Sequence, residues 1–232
     1  MDNLIAIVIP AYNERDNILS LVARLDEVLK HSAYEYCYLF VDDGSKDDSI
    51  NVLKKVSEEH ANVSYLSFSR NFGKDHALKA GIDVCTNALA VITMDADLQH
   101  PPELIPQMVE MWEKGNDIVY TYRQDANPHT SFLHRLGSKL FYNLLSFISD
   151  VQFEEGVSDF RIMDQKVVRS LAEIKEDGLF FRGLVKCIGY SQQAIPYTPD
   201  ARLHGKTTYS IISLCYGALQ EIPAFPTRPS SD

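Results

Sequence analysis

Positively charged residues are scarce in this sequence relative to negatively charged ones. There are 22 Lys and Arg against 32 Asp and Glu, and the formal net charge is -10. Proteins that bind nucleic acids generally carry a basic surface, because their ligand is a polyanion. We therefore expect no nucleic-acid partner.

Cysteine pairs and long hydrophobic runs are also missing. Cys37, Cys85, Cys187 and Cys215 lie far apart and form no Cys-X-X-Cys motif, which predicts reduced thiols, as in a cytosolic protein. No apolar run reaches the ~20 residues of a membrane span, and the apolar start from Leu4 to Ile9 is too short for a signal peptide. These absences favour a globular protein, and 232 residues suffice for one substantial domain.

Strand-like and helix-like segments alternate along the chain. Apolar runs typical of buried strands are followed by stretches with apolar residues at helical spacing. The predicted strands run from Leu4 to Pro10, Tyr34 to Val41, Val63 to Phe68, Leu89 to Met94 and Asp117 to Tyr122, with later ones entered near Gly156 and running from Gln192 to Tyr197. This alternation predicts an α/β fold with a mostly parallel, doubly wound sheet and helices on both faces.

Two later helices have an amphipathic pattern. They are predicted from Ser131 to Ser149 and from Thr208 to Leu219. Such helices either pack on a core or lie on a membrane surface, and both alternatives stay open. The polar, proline-rich end from Ala224 to Asp232 predicts an exposed tail.

A pair of carboxylates closes the fourth predicted strand. Its apolar residues lead into Asp95, Ala96 and Asp97, then Gln99 and a Pro-Pro-Glu sequence. Open α/β sheets bind ligands beyond the carboxyl ends of their strands. Two carboxylates one residue apart can both turn toward one hard cation, which would hold a nucleotide diphosphate by its phosphate oxygens. Taken alone, the motif more often marks a loop with two solvated acids.

The ends of the first two predicted strands make a ligand site the favoured interpretation over a loop with two solvated acids. Pro10 ends the first strand, and Tyr12 offers a flat face to a nucleobase, although it is equally typical of a core tyrosine. The second strand ends in Asp42 and Asp43, where a carboxylate can bind a base or ribose, or instead form a turn and cap a helix. Three such ends at one edge of a sheet favour a single ligand site.

Four motifs in this chain resemble glycosyltransferase family 2. They are Pro10-Ala11-Tyr12-Asn13-Glu14, Val41-Asp42-Asp43-Gly44-Ser45, Asp95-Ala96-Asp97-Leu98-Gln99-His100-Pro101-Pro102-Glu103 and Ser158-Asp159-Phe160-Arg161. They occur in the family's order and cover nearly the whole chain. Within the family they most resemble the polyprenyl-phosphate branch, that of dolichol-phosphate mannose synthases and bacterial polyprenyl-phosphate glucosyltransferases.

The resemblance implies a GT-A fold and an inverting sugar transfer. It implies one catalytic domain over residues 1–222, with a nucleotide-sugar half (1–123) and an acceptor half (124–222). Residues 223–232 resemble the lead-in to a membrane span, which bacterial members commonly carry. We therefore expect a membrane-anchored full-length protein at the cytoplasmic face of a membrane. This chain would be a soluble, truncated form of it, which we favour, or a naturally soluble form that meets the membrane through a partner.

The resemblance also implies roles for individual residues. The donor nucleotide would be bound by Pro10, Ala11, Tyr12, Glu14, Asp42, Asp43, Asp95 and Ala96. A divalent cation, Mn²⁺ or Mg²⁺, would be bound by Asp95, Asp97 and Gln99, and Asp159 would be the acid near the acceptor. Lys74 resembles a polar position close to the nucleotide, but it is equally typical of a solvated surface lysine.

The implied chemistry suits these residue types. The nucleoside diphosphate leaves with developing negative charge, which a divalent cation neutralises. The acceptor would be a polyprenyl phosphate, and a phosphate monoester with a second pKa of about 6 is largely ionised at neutral pH. Asp159 would then orient the acceptor or balance nearby cations rather than act as a strong base.

An anionic acceptor requires cationic partners in this acidic protein. The candidates for phosphate and acceptor binding are Arg123, Arg135, Ser138, Lys139, Arg202 and Lys206. Three of them share one face of the predicted helix over 131–149, because they are three and four residues apart. Each one singly is equally typical of a solvated surface residue, and Arg161 could pair with Asp159 in a purely structural ion pair.

Two other functions stay open from the sequence. A family relative could glycosylate a saccharide hydroxyl in surface polysaccharide, with Asp159 as a true base, and a non-catalytic module could merely bind a nucleotide sugar. A nucleotidyltransferase is disfavoured, because no Gly-rich basic phosphate loop follows the first strand. The sequence does not determine the sugar, UDP against GDP, Mn²⁺ against Mg²⁺, or the oligomeric state, a homo-oligomer included.

Overall fold

The structure is a computed structural model that describes residues 3–124, 157–175 and 181–198. In this part of the chain, one sheet has the strand order β3-β2-β1-β4-β6-β5-β7. The strands are β1 (Leu4–Ala11), β2 (Glu35–Asp42), β3 (Val63–Ser67), β4 (Ala90–Thr93), β5 (Ile118–Arg123), β6 (Val157–Asp164) and β7 (Gln192–Tyr197). The helices are α1 (Arg15–Leu29), α2 (Ser49–Glu59), α3 (Lys74–Val84), α4 (Ile105–Glu113), α5 (Gln165–Glu173) and α6 (Phe181–Cys187), and a 3-10 turn spans Pro102–Leu104.

Most of the sheet is parallel, which confirms the prediction from the alternating pattern. β1 pairs in parallel with β2 and β4, β2 with β3, and β5 with β7. β6 is the exception, because it runs antiparallel between β4 and β5, and nothing in the sequence pattern indicates its direction. The antiparallel direction brings the start of β6 beside the carboxyl end of β4.

The sheet is covered on both faces, and β1 shows why. Ile5, Ile7 and Ile9 point into one core cluster, where side chains of α1 and α4 join them, and Ala6 and Val8 point into the other, with side chains of α3. All of these residues are buried, so the strand reads as a continuous apolar run. Burying one such isoleucine side chain stabilises the fold by about 1.5–3 kcal/mol.

Helix α3 packs unusually close to this strand. Gly81 faces Val8, and a Cβ at this glycine would overlap the valine side chain. The close approach places the first turn of α3 over the edge of the sheet where the strands end.

Several expectations concern residues outside the described ranges. These are the helices predicted over 131–149 and 208–219 and the tail over 224–232, so the division into 1–123 and 124–222 stays a prediction. Within the described ranges, no disulfide joins Cys37, Cys85 and Cys187. No helix there is long and apolar enough to cross a membrane.

Candidate active site

The carboxyl ends of β1, β2 and β4 meet at one edge of the sheet, as the sequence predicts. Ala11 pairs with Asp42 across β1 and β2, and Val8 pairs with Thr93 across β1 and β4. The pairing continues just past the strands, where the backbone N–H of Asp43 donates to the carbonyl of Ala11 at 2.8 Å. Residues far apart in the sequence therefore face one site.

The loops after β1 and β2 are joined by uncharged hydrogen bonds. Asn13 has left-handed backbone geometry with a φ of 58°, and its side-chain oxygen accepts from the backbone N–H of Lys46 at 2.8 Å. In return, the hydroxyl of Ser45 accepts from the backbone N–H of Asn13 at 2.9 Å. The backbone N–H of Glu14 donates to the hydroxyl of Ser49, also at 2.9 Å. These contacts make the first two strand ends one connected rim.

Four residues predicted to bind the donor lie on this rim. Pro10 and Ala11 are the last two residues of β1 and are buried, whereas Tyr12 and Glu14 follow the strand and are partly exposed. A partly exposed aromatic ring and a partly exposed carboxylate in one loop suit a nucleoside. Their contact with a nucleotide stays a prediction.

Both carboxylate oxygens of Asp42 accept hydrogen bonds at this rim. One oxygen accepts from the backbone N–H of Ser45 at 3.2 Å, and the other accepts from the hydroxyl of Ser67 at 2.9 Å. The residue is only 2% exposed. These contacts match the turn-forming alternative of the sequence analysis, and a role in binding the base stays a prediction.

Asp43 connects β2 to the start of α3. Its two carboxylate oxygens accept from the backbone N–H groups of Phe72 at 2.7 Å and Gly73 at 3.0 Å. Burial raises the pKa of Asp43, and these two hydrogen bonds oppose the rise. The next residue is Lys74, the first of α3, so Asp43 holds the turn that delivers this lysine to the site.

Lys74 joins the two acidic motifs. Its ammonium lies 2.5 Å from a carboxylate oxygen of Asp95 and 2.7 Å from one of Asp159. Burial alone would lower the pKa of Lys74, but Asp159 and Asp95 raise it above its ordinary value. The lysine is therefore a charged bridge between β4 and β6 rather than the solvated surface residue of the alternative interpretation.

Asp159 is surrounded by cations. Arg182 of α6 donates to both of its oxygens, at 2.6 and 2.8 Å, and Arg161 of β6 lies 3.6 Å away. Burial by itself would raise the pKa of Asp159, but Arg182 and Lys74 lower it well below the usual carboxyl range. An ion pair with Arg161 is one of the alternatives that the sequence left open, whereas the contact with Arg182 is not predicted. Nothing in the local sequence distinguishes Arg182 from a surface arginine.

The turn after β4 carries the three predicted metal ligands. Asp95 is partly exposed and Asp97 is buried, and the backbone N–H of Gln99 donates to a carboxylate oxygen of Asp97 at 3.1 Å. Leu98 takes the left-handed conformation, with a φ of 64°, as the chain reverses. Among the described residues no group of three or more His, Cys, Asp and Glu side chains could hold a metal. Two carboxylates and an amide still suit a hard cation that takes its remaining ligands from a diphosphate and water.

The imidazole ring of His100 holds this turn in place through hydrogen bonds. One ring nitrogen accepts from the backbone N–H of Asp95 at 2.9 Å, and the other lies 3.3 Å from the hydroxyl of Ser158. The imidazole stacks on Phe160 with ring centroids 5.3 Å apart. Burial lowers the pKa of His100 although Asp95 opposes this, so the neutral ring can act as the acceptor. It thereby ties the end of β4 to the start of β6.

Asp75 is a second residue that sequence reasoning missed. It follows Lys74 in the first turn of α3, and its carboxylate accepts from the backbone N–H of Phe181, at the start of α6. Burial, reinforced by the nearby charge of Asp159, raises the pKa of Asp75 to about 6. The sequence shows only an acid in the first turn of a helix, where such residues are common.

Most of the predicted acceptor residues lie outside the described part of the chain. Arg123 ends β5 and is exposed. The other five, Arg135, Ser138, Lys139, Arg202 and Lys206, fall in the ranges that the structure does not describe. The predicted acceptor set therefore stays a prediction.

Proteins of related sequence are glycosyltransferases. An uncharacterized glycosyltransferase of Bacillus subtilis, YkcC, is 39% identical over 224 residues, which are 97% of this chain and 69% of that protein. A prophage bactoprenol glucosyl transferase homolog of Escherichia coli is 35% identical over 225 residues, 97% of this chain and 73% of that protein. These relatives confirm the resemblance to the polyprenyl-phosphate branch.

A solved structure confirms the fold. Glucosyl-3-phosphoglycerate synthase from Mycobacterium tuberculosis, in complex with Mn²⁺, UDP-glucose and phosphoglyceric acid, superposes with a TM-score of 0.59 at 16% identity. The match covers 97% of this chain and 81% of that one. Residues 6–172 also match the family described as glycosyl transferase family 2. With the strand-end acids in place and this match over most of its length, the chain belongs to glycosyl transferase family 2 and is a glycosyltransferase.

Proposed function

We propose that this protein transfers a hexose, with inversion, from a UDP- or GDP-linked donor to a polyprenyl phosphate, and that the transfer depends on a divalent cation. One observation carries the proposal: the ammonium of Lys74 contacts both Asp95 and Asp159. The acid predicted to hold the metal and donor and the acid predicted to face the acceptor are thus separated by a single side chain. Donor and acceptor bound at these two acids would be in reach of each other.

The surroundings of Asp159 favour a phosphate acceptor over a sugar hydroxyl. A hydroxyl must lose a proton, and an effective base needs an accessible oxygen and a pKa near the working pH. Both oxygens of Asp159 are held by Arg182, and Lys74 contacts one of them. A phosphate monoester is already ionised and needs no base. The cations around Asp159 would instead help to attract such an acceptor.

The oxygen ligands in the turn after β4 suit Mn²⁺ or Mg²⁺. Asp95, Asp97 and Gln99 would hold the cation, which would neutralise the charge that develops on the leaving diphosphate. Lys74 now occupies one oxygen of Asp95, so the lysine and the divalent cation are alternative counter-ions of this carboxylate. A displaced ammonium would remain within reach of the diphosphate oxygens.

The remaining parts of the proposal concern the acceptor side. Arg123, with the five predicted residues outside the described ranges, would bind the acceptor phosphate at the cytoplasmic face of a membrane. The relatives named bactoprenol glucosyl transferases support a lipid acceptor of this class.

Two measurements in sequence test the proposal. The first is the melting temperature with UDP or GDP, each with Mn²⁺ and with EDTA, because a ligand that binds the native state raises it. We expect one nucleotide to give a metal-dependent rise. The second is sugar transfer from the matching donor to a short polyprenyl phosphate, with a saccharide acceptor as the comparison. Transfer to the saccharide alone would refute the lipid acceptor, and donor binding without transfer or hydrolysis would favour a binding module.

A further inference from the structure

A cationic cleft adjoins the candidate active site. Its volume is about 230 Å³, and it is lined by residues of β5, β6, β7 and α6. The described residues that line it are Tyr120, Val157, Arg161, Arg182, Lys186 and Gln192. Half of these six are cationic and none is acidic, in a protein whose net charge is -10. None of the six belongs to the sets predicted for donor, metal or acceptor.

Arg161 has an unusual environment in this cleft. Its side chain is only 3% exposed, and one guanidinium nitrogen donates to the carbonyl of Ser158 at 2.9 Å. The Nε atom is buried and has no hydrogen-bond partner among the described residues. Buried donors are nearly always paired in native proteins, so such an atom calls for a missing acceptor. Burial lowers the pKa of Arg161 to about 10, although Asp159 opposes the fall.

The other two cations extend the same surface. Arg182 and Lys186 are four residues apart on α6 and therefore share one face of the helix. Asp159 is the carboxylate in contact with both arginines, and it is shared with Lys74. An anion with two negative charges would complement the three cations of the cleft.

We propose that this cleft binds a phosphate group. Arginine binds phosphate through paired N–H groups, and Lys186 would add a point charge. The cleft, at about 230 Å³, is smaller than the ~300–1,000 Å³ of a typical small-molecule site, so it suits a single phosphate group, with any attached chain lying outside, rather than a whole nucleotide. The phosphate could belong to the polyprenyl acceptor, which rests on the proposed function, or to a free phosphorylated compound.

The test is a calorimetric titration with inorganic phosphate in the presence of saturating nucleoside diphosphate and Mg²⁺. The nucleotide blocks the donor site, so phosphate that still binds must bind elsewhere. We expect Lys186→Glu to abolish this binding, Lys186→Met to weaken it by about tenfold and Lys186→Arg to retain it. Lys79→Met is the matched control, because Lys79 is partly buried like Lys186 but lies on α3 and is not among the described residues that line the cleft. The circular dichroism spectrum and melting temperature of each variant show that it is folded.

Binding that disappears with nucleotide, or that is equal in all four folded variants, would overturn the proposal and show an adventitious ion only. If phosphate binds in the cleft, transfer kinetics separate the two sources. A raised KM for the lipid acceptor in Lys186→Met, with competitive inhibition by phosphate, indicates the acceptor's phosphate. An unchanged KM indicates a free phosphorylated ligand. Because the titration needs no transfer, the cleft can fail while donor binding and transfer succeed, or the reverse.

Discussion

The rim formed by the ends of β1 and β2 and the centre formed by the ends of β4 and β6 use carboxylates in different ways. In the rim, Asp42 and Asp43 are held by backbone N–H groups and a hydroxyl. In the centre, Asp95 and Asp159 are held by long cationic side chains, Lys74 and Arg182.

This difference indicates that the rim acids mainly hold the loops in place, whereas the acids of the centre are available to bind ligands. A backbone N–H cannot leave without unfolding the loop, so the rim acids build a fixed shape. A lysine or arginine side chain can rotate away, so an acid of the centre can exchange its cationic partner for a metal ion, and the released cation can bind a phosphate. The four predictions below test this contrast.

The largest expected effect is on catalysis when Asp97 is replaced. Asp97→Ala should lower the transfer rate by about 10²–10³-fold or more, because a lost metal ligand removes several kcal/mol of charge stabilisation. Asp159→Asn should retain more activity, since an amide can still orient the acceptor. It should also cost about 3 kcal/mol of folding free energy, because the buried Arg161 and the half-buried Lys74 and Arg182 lose their counter-charge.

Transfer rates, donor affinity and urea unfolding of both variants check this prediction. A folded Asp159→Asn protein that binds donor but is as inactive as Asp97→Ala would show that Asp159 takes a direct chemical part.

The second largest effect is expected on the affinity for Mn²⁺, which competes with Lys74 for the carboxylate of Asp95. Lys74→Met should raise the affinity for Mn²⁺ without nucleotide by about tenfold, because an ammonium 2.5 Å away no longer competes for the carboxylate. Electron paramagnetic resonance of unbound Mn²⁺ measures this without any turnover. Lys79→Met serves as the control on the same helix. An unchanged Mn²⁺ affinity would remove Asp95 from the metal site.

A third effect is on the pH dependence of stability. The pKa of Asp75 is raised to about 6 in the folded protein, so the native state binds more protons than the unfolded state between the ordinary carboxyl pKa of ~4 and 6. Stability must therefore fall as the pH rises through this window. Asp75→Asn should remove that fall and gain at most about 3 kcal/mol relative to the parent above pH 6.

Urea unfolding at several pH values between 4 and 8 measures this gain. Asp83→Asn, at an exposed position of the same helix, controls for the loss of one negative charge. A parallel offset of Asp75→Asn at every pH would contradict the assignment.

The smallest effect is expected in the rim. Asp43→Asn keeps one acceptor oxygen but leaves the N–H of Phe72 or Gly73 unpaired, which should cost about 1–2 kcal/mol of unfolding free energy. Here Asp43 acts through the turn before Lys74 and not by contact with the base. The free energy of nucleotide binding should therefore change by less than the free energy of unfolding. A stable Asp43→Asn protein that has lost nucleotide binding would instead make Asp43 a direct ligand of the base.

Much of this molecule could be predicted from the sequence. Strands buried on both faces are apolar throughout, so β1 and β4 are recognisable in the chain. Parallel strands end at one edge, so the convergence of Tyr12, Asp42 and Asp95 follows from the alternating pattern. The motif around Asp95 and Asp97 indicates the family by its residues alone, because few loops place two carboxylates, an amide and a Pro-Pro-Glu sequence in this order.

The tertiary structure alone decided the partners of the acids. Which way β6 runs depends on the packing of the whole sheet, and only its antiparallel direction brings Asp159 beside the end of β4. Asp75 and Arg182 lie at ordinary helix-start positions, with no local pattern to mark them, and Lys74 was indicated only by the resemblance, as a polar position close to the nucleotide. Sequence periodicity reports which face of an element is buried, whereas ion pairs between distant elements depend on where those elements meet, and so the charged centre appears only in the folded protein.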